Sequence, residues 1–519
     1  MKMTRKIILL LTGILLTSTV FSQIIYVTEL KKANSPKMVV KVRFTNGSIA
    51  DPVGKEGLTN LTASLMMDGG TNLYTKSQIN DITYPMSAYY YANTDKEVTT
   101  FTFAFPKDFI DEFYPILTGL ILHPTLDSSD FSRIKSNTLN YLTQVIRASS
   151  DEDFSKFALE EMLFEGTPYA HLVSGTVDGL NAITLEDVKS QYANFFTNRN
   201  VSIGIAGDFP NEYVEKLKAD LGKLPSKTVV LPEIPEIKMP DGINIRIVEK
   251  EDALGSAIYT GYPIDITRED DEFAALMIAN SWLGEHRKSY GQLYSKIRET
   301  RSMNYGDYSY IEWYDNGGRN QLPVTGVPRN SNYFALWIRP VQIGDQLKQQ
   351  YPELSDITIG HAHFALRLAI REMDLMVKNG MDKEEFEKTK QFLRSYMKLY
   401  IQTPEKELGF LMDSHFYNRK DYIKEMDKLL EKTTLEEVNA AIRKYFQTAN
   451  MDIVIITDDS EAKPLAASFK NNTTSKMSYA DQLKAELPQE VLDEDSEVEN
   501  YPLNVKSVEI ISSEEPFVK

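Results

Sequence analysis

Two stretches far apart in the chain have nearly the same sequence. Thr184-Leu185-Glu186-Asp187-Val188 returns as Thr434-Leu435-Glu436-Glu437-Val438. The register then holds without a gap: Phe196 aligns with Phe446, Asn200 with Asn450, Ile203 and Ile205 with Ile453 and Ile455, and Asp208 with Asp458. In each copy a helical segment ends near an aromatic pair and leads into a short strand, starting at Val201 in one and Met451 in the other. Solenoid units run to about 20–50 residues, so a repeat this long is not one of them. It reads as a single domain of about 200 residues present twice. Pro225, Pro232, Pro235 and Pro240 crowd the stretch between the copies. Because Pro fixes φ and removes a backbone donor, residues 224–242 are expected to form an extended linker.

The coarse pattern agrees between the halves. Val40, Val42 and Phe44 alternate with Lys41 and Arg43, and Phe101, Phe103 and Phe105 with Thr102 and Ala104. Each run predicts a half-buried strand. Residues 108–122 and 131–147 have helical spacing; 256–262 and 334–338 read as strands, and 359–377 and 382–400 as helices. Strands and helices mix without a strict βαβ rhythm. The expected class is therefore α+β: two homologous domains, each an antiparallel sheet covered by helices. They are placed at 23–223 and 243–464.

The chain has 519 residues, no cysteine, six histidines, and 57 Lys+Arg against 74 Asp+Glu, a net charge of −17. Without cysteine there is no disulfide framework, thiolate zinc site, iron–sulfur cluster or Cys nucleophile. The acidic balance argues against general nucleic-acid binding, which needs a basic surface. Lys2, Arg5 and Lys6 precede an apolar run to Leu16 and a polar stretch ending Val20-Phe21-Ser22. That is the order of a secretory signal peptide over residues 1–22, and about ten apolar residues are short for a membrane span. An exported, most simply periplasmic, protein with no span after signal cleavage is expected. From Glu486 onward there are ten acids and two lysines. Residues 465–519 are expected to be an acidic tail, either solvated and loosely docked or an arm for a partner.

The segment from Thr45 to Thr71 holds Gly47-Ser48, Gly57-Leu58 and Gly69-Gly70-Thr71 in order. It resembles the start of the insulinase/pitrilysin-like zinc metallopeptidases, as do Phe164-Glu165-Gly166-Thr167-Pro168-Tyr169, Gly175-Thr176 and Ile205-Ala206-Gly207-Asp208 further on. In that family a Gly-Leu opens a helix bearing H-x-x-E-H. Two His one turn apart chelate zinc, and the Glu between them activates a metal-bound water. A third ligand, a Glu, lies on a later helix. By this resemblance Asn60 and Ser64 stand at the two His positions, Ala63 at the base, and Tyr141 at the third ligand. Amide and hydroxyl are poor zinc ligands, Ala accepts no proton, and Tyr titrates near pH 10. The loss does not depend on the alignment, because no histidine precedes His123.

The second half, with Leu283-Gly284-Glu285, Leu293-Tyr294, Ile297-Arg298-Glu299 and Asn304-Tyr305, resembles the family's C-terminal domain. The resemblance implies that Arg298, closing a helix, and Tyr305, opening a strand, bind substrate backbone and donate to a developing oxyanion in a neighbouring zinc site. His361 and His363 are two residues apart, a poor chelate, and His123, His171, His286 and His415 are isolated. No metal is therefore expected on this chain. The resemblance implies the non-zinc subunit of a heterodimeric oligopeptidase, with zinc on a partner that carries H-x-x-E-H and unfolded peptides as substrates. The alternative is a non-enzymatic, peptide-binding or structural relative, like the family's core subunits. Purified alone, the chain is expected to be inactive.

Overall fold

The computed structural model describes residues 25–312, 325–399, 401–479 and 481–519. The signal-peptide reading of residues 1–22 falls outside them. No helix among the described residues is long and apolar enough to cross a membrane.

Five strands, β1 (Tyr26–Lys31), β2 (Lys37–Phe44), β3 (Tyr89–Thr94), β4 (Thr99–Pro106) and β5 (Val201–Gly207), form the first sheet in the order β1-β5-β2-β4-β3. The second sheet comprises β6 (Ile243–Glu249), β7 (Ser256–Ile264), β8 (Asp307–Tyr310), β9 (Asn332–Val341), β10 (Met451–Thr457) and β11 (Val505–Ser512), ordered β11-β6-β10-β7-β9-β8. Leaving out β11, the two orders are the same topology. The repeated Thr-Leu-Glu phrase has a local cause: Thr184 and Thr434 each cap a helix by a reciprocal capping box, with Asp187 and Glu437 respectively.

The expected antiparallel sheets are in fact mixed. β1 and β2 run antiparallel as successive strands, but β5 inserts between them. It pairs antiparallel with β2 and therefore parallel with β1. β10 does the same between β6 and β7.

Helices cover both faces of each sheet, and one of the covers comes from the other half. We label α1 (Leu58–Asp68), α2 (Ser128–Asn140), α3 (Asp151–Leu163), α4 (Pro404–Phe416) and α5 (Gln489–Val498). From the first half, α3 packs on β7 and β10; from the second half, α4 packs on β5 and β1. This exchange corrects the expectation of half-buried strands. Lys41 and Arg43 on β2 are buried because α4 lies over them. Arg43 Nη2 meets Asp413 Oδ1 at 2.6 Å, and Lys41 Nζ donates to Thr102 Oγ1 at 2.9 Å. Burial pushes the Lys41 ammonium down to about 8.

The C-terminal residues are not a loose tail. The helix Asp459–Asn471 runs through the expected boundary at 464. Beyond it α5 is docked, and β11 pairs parallel with β6. Val508 and Ile510 pack on the second core, and Ile511 on the first. The last residues reach the first half. Phe517 is buried against Phe154, with ring centroids 5.4 Å apart, and the amides of Val177 and Asp178 donate to the carbonyls of Phe517 and Val518. Acidic composition suggested solvent exposure, but ion pairs to Arg246, Lys296, Arg301 and Arg371 of the second half and to Arg147 of the first hold the segment on the fold.

Candidate functional site

A cleft of about 400 Å³ opens between α1, α2 and β3, closed on one side by residues of the second half. Gly57, at φ +99, starts α1; a Cβ there would sit 2.7 Å from the Ser174 carbonyl, so only Gly fits. Along α1, Asn60, Ser64 and Asp68 recur at one-turn spacing and line the cleft. Ala63 is fully buried, on the core side of the helix. From α2 come Arg133 and Asn137, followed by Tyr141, which opens a π-helical turn, Tyr141–Ile146. Of the four motif positions, the structure thus brings Asn60, Ser64 and Tyr141 to one cavity, while the short side chain of Ala63 is buried in the core and does not line it.

The donor set does not fit zinc. It is an amide, a hydroxyl and a phenol, and among the described residues no group of three or more His, Cys, Asp or Glu side chains could hold a metal ion. The cleft instead balances its charges internally, with Asp68, Asp95 and Glu160 facing Lys96, Arg133 and Arg329. Arg133 Nη2 donates to the Asp68 carbonyl at 2.8 Å and to Asp130 Oδ1 at 2.7 Å. Lys96 is enclosed and donates to the carbonyls of Tyr169 and His171; burial pushes its ammonium down to about 8. Arg329 arrives from the second half and clasps Asp95 through two bonds of 2.8 and 2.9 Å. These polar partners were not found from the sequence, because nothing in the residue pattern links Asp95 to a residue in the other copy.

Arg298 and Tyr305 lie elsewhere. Arg298 sits on the π-helical turn Tyr294–Glu299, and its guanidinium carbon is 5.8 Å from the Tyr305 ring centroid. Tyr305 is 77% exposed and precedes β8 by two residues instead of opening it. Neither lines the cleft. The loop that carries Tyr305 is fixed from behind. Asn304 Nδ2 donates to Asp307 Oδ1 at 2.7 Å and to the Arg339 carbonyl at 3.0 Å, and the Gly306 amide donates to Asn304 Oδ1. Tyr305 is therefore presented to solvent on a hydrogen-bonded loop, with the half-buried Arg298 beside it.

The histidines are dispersed. Buried His286 and His363 hold Tyr310 Oη at 2.6 Å and Ser468 Oγ at 2.7 Å respectively. Burial pushes both down to about 3 and His361 to about 4. His171 lies 3.1 Å from the Ser48 carbonyl, His415 contacts Tyr26, and His123 ends a helix.

The family description "Insulinase (Peptidase family M16)" matches residues 26–176, and "Peptidase M16 inactive domain" matches residues 182–334. The chain is 21% identical over 431 residues to the "Non-peptidase homolog YmxG" of Helicobacter pylori, a match covering 82% of this chain and 90% of that protein. It is 24% identical over 232 residues to the "Probable inactive metalloprotease YmfF" of Bacillus subtilis, covering 42% of this chain and 53% of that one. Its fold is similar to a crystal structure of a peptidase M16 inactive domain from Pseudomonas fluorescens, with a TM-score of 0.68, 20% identity, and coverage of 83% of this chain and 95% of that one. A protease from Helicobacter pylori superposes with a TM-score of 0.67 at 14% identity, covering 83% and 96%.

Proposed function

The chain belongs to the insulinase family, peptidase family M16, and from that premise we propose that it is the non-zinc subunit of an exported heterodimeric zinc oligopeptidase. Its partner carries H-x-x-E-H and the metal, and this chain supplies Arg298 and Tyr305 to the partner's site. The observation that carries the reading is a contrast within one chain. The inherited metal cleft has lost its donors, while a 77% exposed phenol sits on a hydrogen-bonded loop with a guanidinium 5.8 Å from its ring centroid. Guanidinium and phenol N–H and O–H groups donate to a scissile carbonyl and gain strength as it becomes an oxyanion. The names of two relatives, "Non-peptidase homolog" and "Probable inactive metalloprotease", support a chain that does not cut peptides alone. Export rests on the n-, h- and c-region order of residues 1–22.

The test is co-purification with a neighbouring H-x-x-E-H chain, followed by peptidase assay. Arg298→Ala and Tyr305→Phe are expected to lower kcat/KM by about 10²–10³ and about tenfold or more respectively, with zinc content unchanged. Activity indifferent to both substitutions sinks the reading. A second reading, a peptide-binding relative without enzymatic work, is favoured by the cleft itself, whose about 400 Å³ is lined with donors and acceptors. Calorimetric peptide binding to the lone, metal-free chain, lost on Arg133→Ala, separates it from the first.

A further inference from the structure

The acidic residues of α5 converge on the segment that carries Arg298. Arg301, three residues further on, has a fully buried side chain. Its Nε donates to Asp495 Oδ1 at 2.7 Å, its Nη2 to Glu494 Oε2 at 2.8 Å, and its Nη1 turns back to the Lys296 carbonyl at 2.8 Å. Lys296 Nζ reaches the other Glu494 oxygen at 2.7 Å, and Arg371 Nη1 reaches that same oxygen at 3.2 Å. Tyr479 Oη donates to Asp495 Oδ2 at 2.6 Å. Arg301 thus bridges two elements. One end of its guanidinium holds α5, and the other holds the backbone one turn before it, on the π-helical stretch Tyr294–Glu299.

That stretch needs an external hold. A π-helical turn is rare and occurs mostly as a single-turn bulge, and here it closes through the Thr300 amide to the Ser295 carbonyl at 2.9 Å. The helix that grips it is itself tied down at its C-terminal end. Val498 is buried in the second core, and Arg367 donates to the carbonyls of Thr473, Glu499 and Tyr501. The paired groups are mostly buried and hydrogen-bonded, so they define geometry more sharply than surface pairs would.

We propose that α5 is the positioning element of the Arg298–Tyr305 pair, and that Arg301 is the positioning residue through which it acts. The functional half of this statement rests on the reading of Arg298 given above; the structural half does not. The acidic C-terminal segment is then part of the substrate-binding apparatus, acting at a distance through the buried Arg301 guanidinium, with the direct Lys296–Glu494 bond beside it.

The experiment uses the full chain, alone and with its zinc-bearing partner. In Glu494→Gln/Asp495→Asn, amide exchange across residues 294–301 is expected to rise at least about tenfold, with exchange in the helix Leu435–Tyr445 unchanged. In the complex, kcat/KM falls in the direction of Arg298→Ala, and adding Arg298→Ala to the double variant lowers it little further, the non-additivity expected of residues acting as a unit. Should the double variant fail to fold, Arg301→Lys reads the same quantity. Lysine keeps the charge but loses the fork that spans both carboxylates and the carbonyl, so an intermediate rise in exchange supports the proposal. Exchange across 294–301 that stays at the wild-type rate in the folded variants overturns it. Faster exchange there, in a protein whose activity ignores Arg298→Ala, upholds the brace and removes the reading of Arg298 instead.

Discussion

Asp95 and Arg329 are 2–3% exposed, come from opposite halves, and close one wall of the cleft through two hydrogen bonds. Asp95→Ala leaves the guanidinium buried, with Glu160 at 3.9 Å. Removing one partner of a buried pair costs about 3–5 kcal/mol, because the remaining charge is uncompensated. The Glu160 carboxylate softens that loss, so the low end, about 3 kcal/mol, is expected. With a urea m-value of at least about 3 kcal/mol/M, because m grows with chain size, the unfolding midpoint falls by up to about 1 M. Arg329→Met added to Asp95→Ala removes the stranded charge and is expected to restore all but about 1 kcal/mol. Urea titrations followed by tryptophan fluorescence on the wild type, both single variants and the double complete the cycle. A drop under about 0.3 M for Asp95→Ala, or a double variant that loses the sum of the two singles, would refute the claim that the pair is mutually compensating.

Restoring donors tests the reading of the cleft. Asn60→His/Ser64→His/Tyr141→Glu is expected to bind one zinc ion, measured by metal analysis after dialysis, and to gain about 2.7 kcal/mol of stability at a hundredfold excess over Kd. It stays without peptidase activity, because Ala63 supplies no base. The buried histidines predict acid sensitivity. His286 and His363, pushed down to about 3, stay neutral in the folded chain while the unfolded chain protonates near 6.5. A depressed folded pKa means that the stability is present above 6.5 and is lost as pH falls toward 3. At pH 5 each residue costs at most about 2 kcal/mol. His363→Phe should therefore shrink the difference in unfolding free energy between pH 7 and pH 5 by up to that amount, and an undiminished difference would show that His363 is not a source of the loss.

Much of the fold could be read because its signals are local. The capping boxes at Thr184 and Thr434, and the alternation in β2 and β4, depend on neighbours two to four residues away. A repeat of such signals reveals a repeat of the fold. The vacated motif was visible through the family resemblance, which sets Asn60, Ala63, Ser64 and Tyr141 at the motif positions; helix spacing then puts Asn60 and Ser64 on one face. The mixed sheets, the burial of Lys41 and Arg43, and the Asp95–Arg329 wall were not visible, since each depends on a strand or helix arriving from far along the chain.

The doubled domain is legible in the chain because a repeat of local signals marks a repeat of the fold, and the resemblance to the family is what puts Asn60, Ala63, Ser64 and Tyr141 at positions where zinc chemistry needs other residues. The fold adds that Asn60, Ser64 and Tyr141 share one cleft with Ala63 buried beside it, and that the Arg298 guanidinium lies 5.8 Å from the Tyr305 ring centroid. It also decided that the acidic C-terminus is built in. The carboxylates of Glu494 and Asp495 are solvating groups in an unfolded chain. Opposite a buried Arg301 they become anchors, and that opposition exists only once residues nearly two hundred positions apart are packed together.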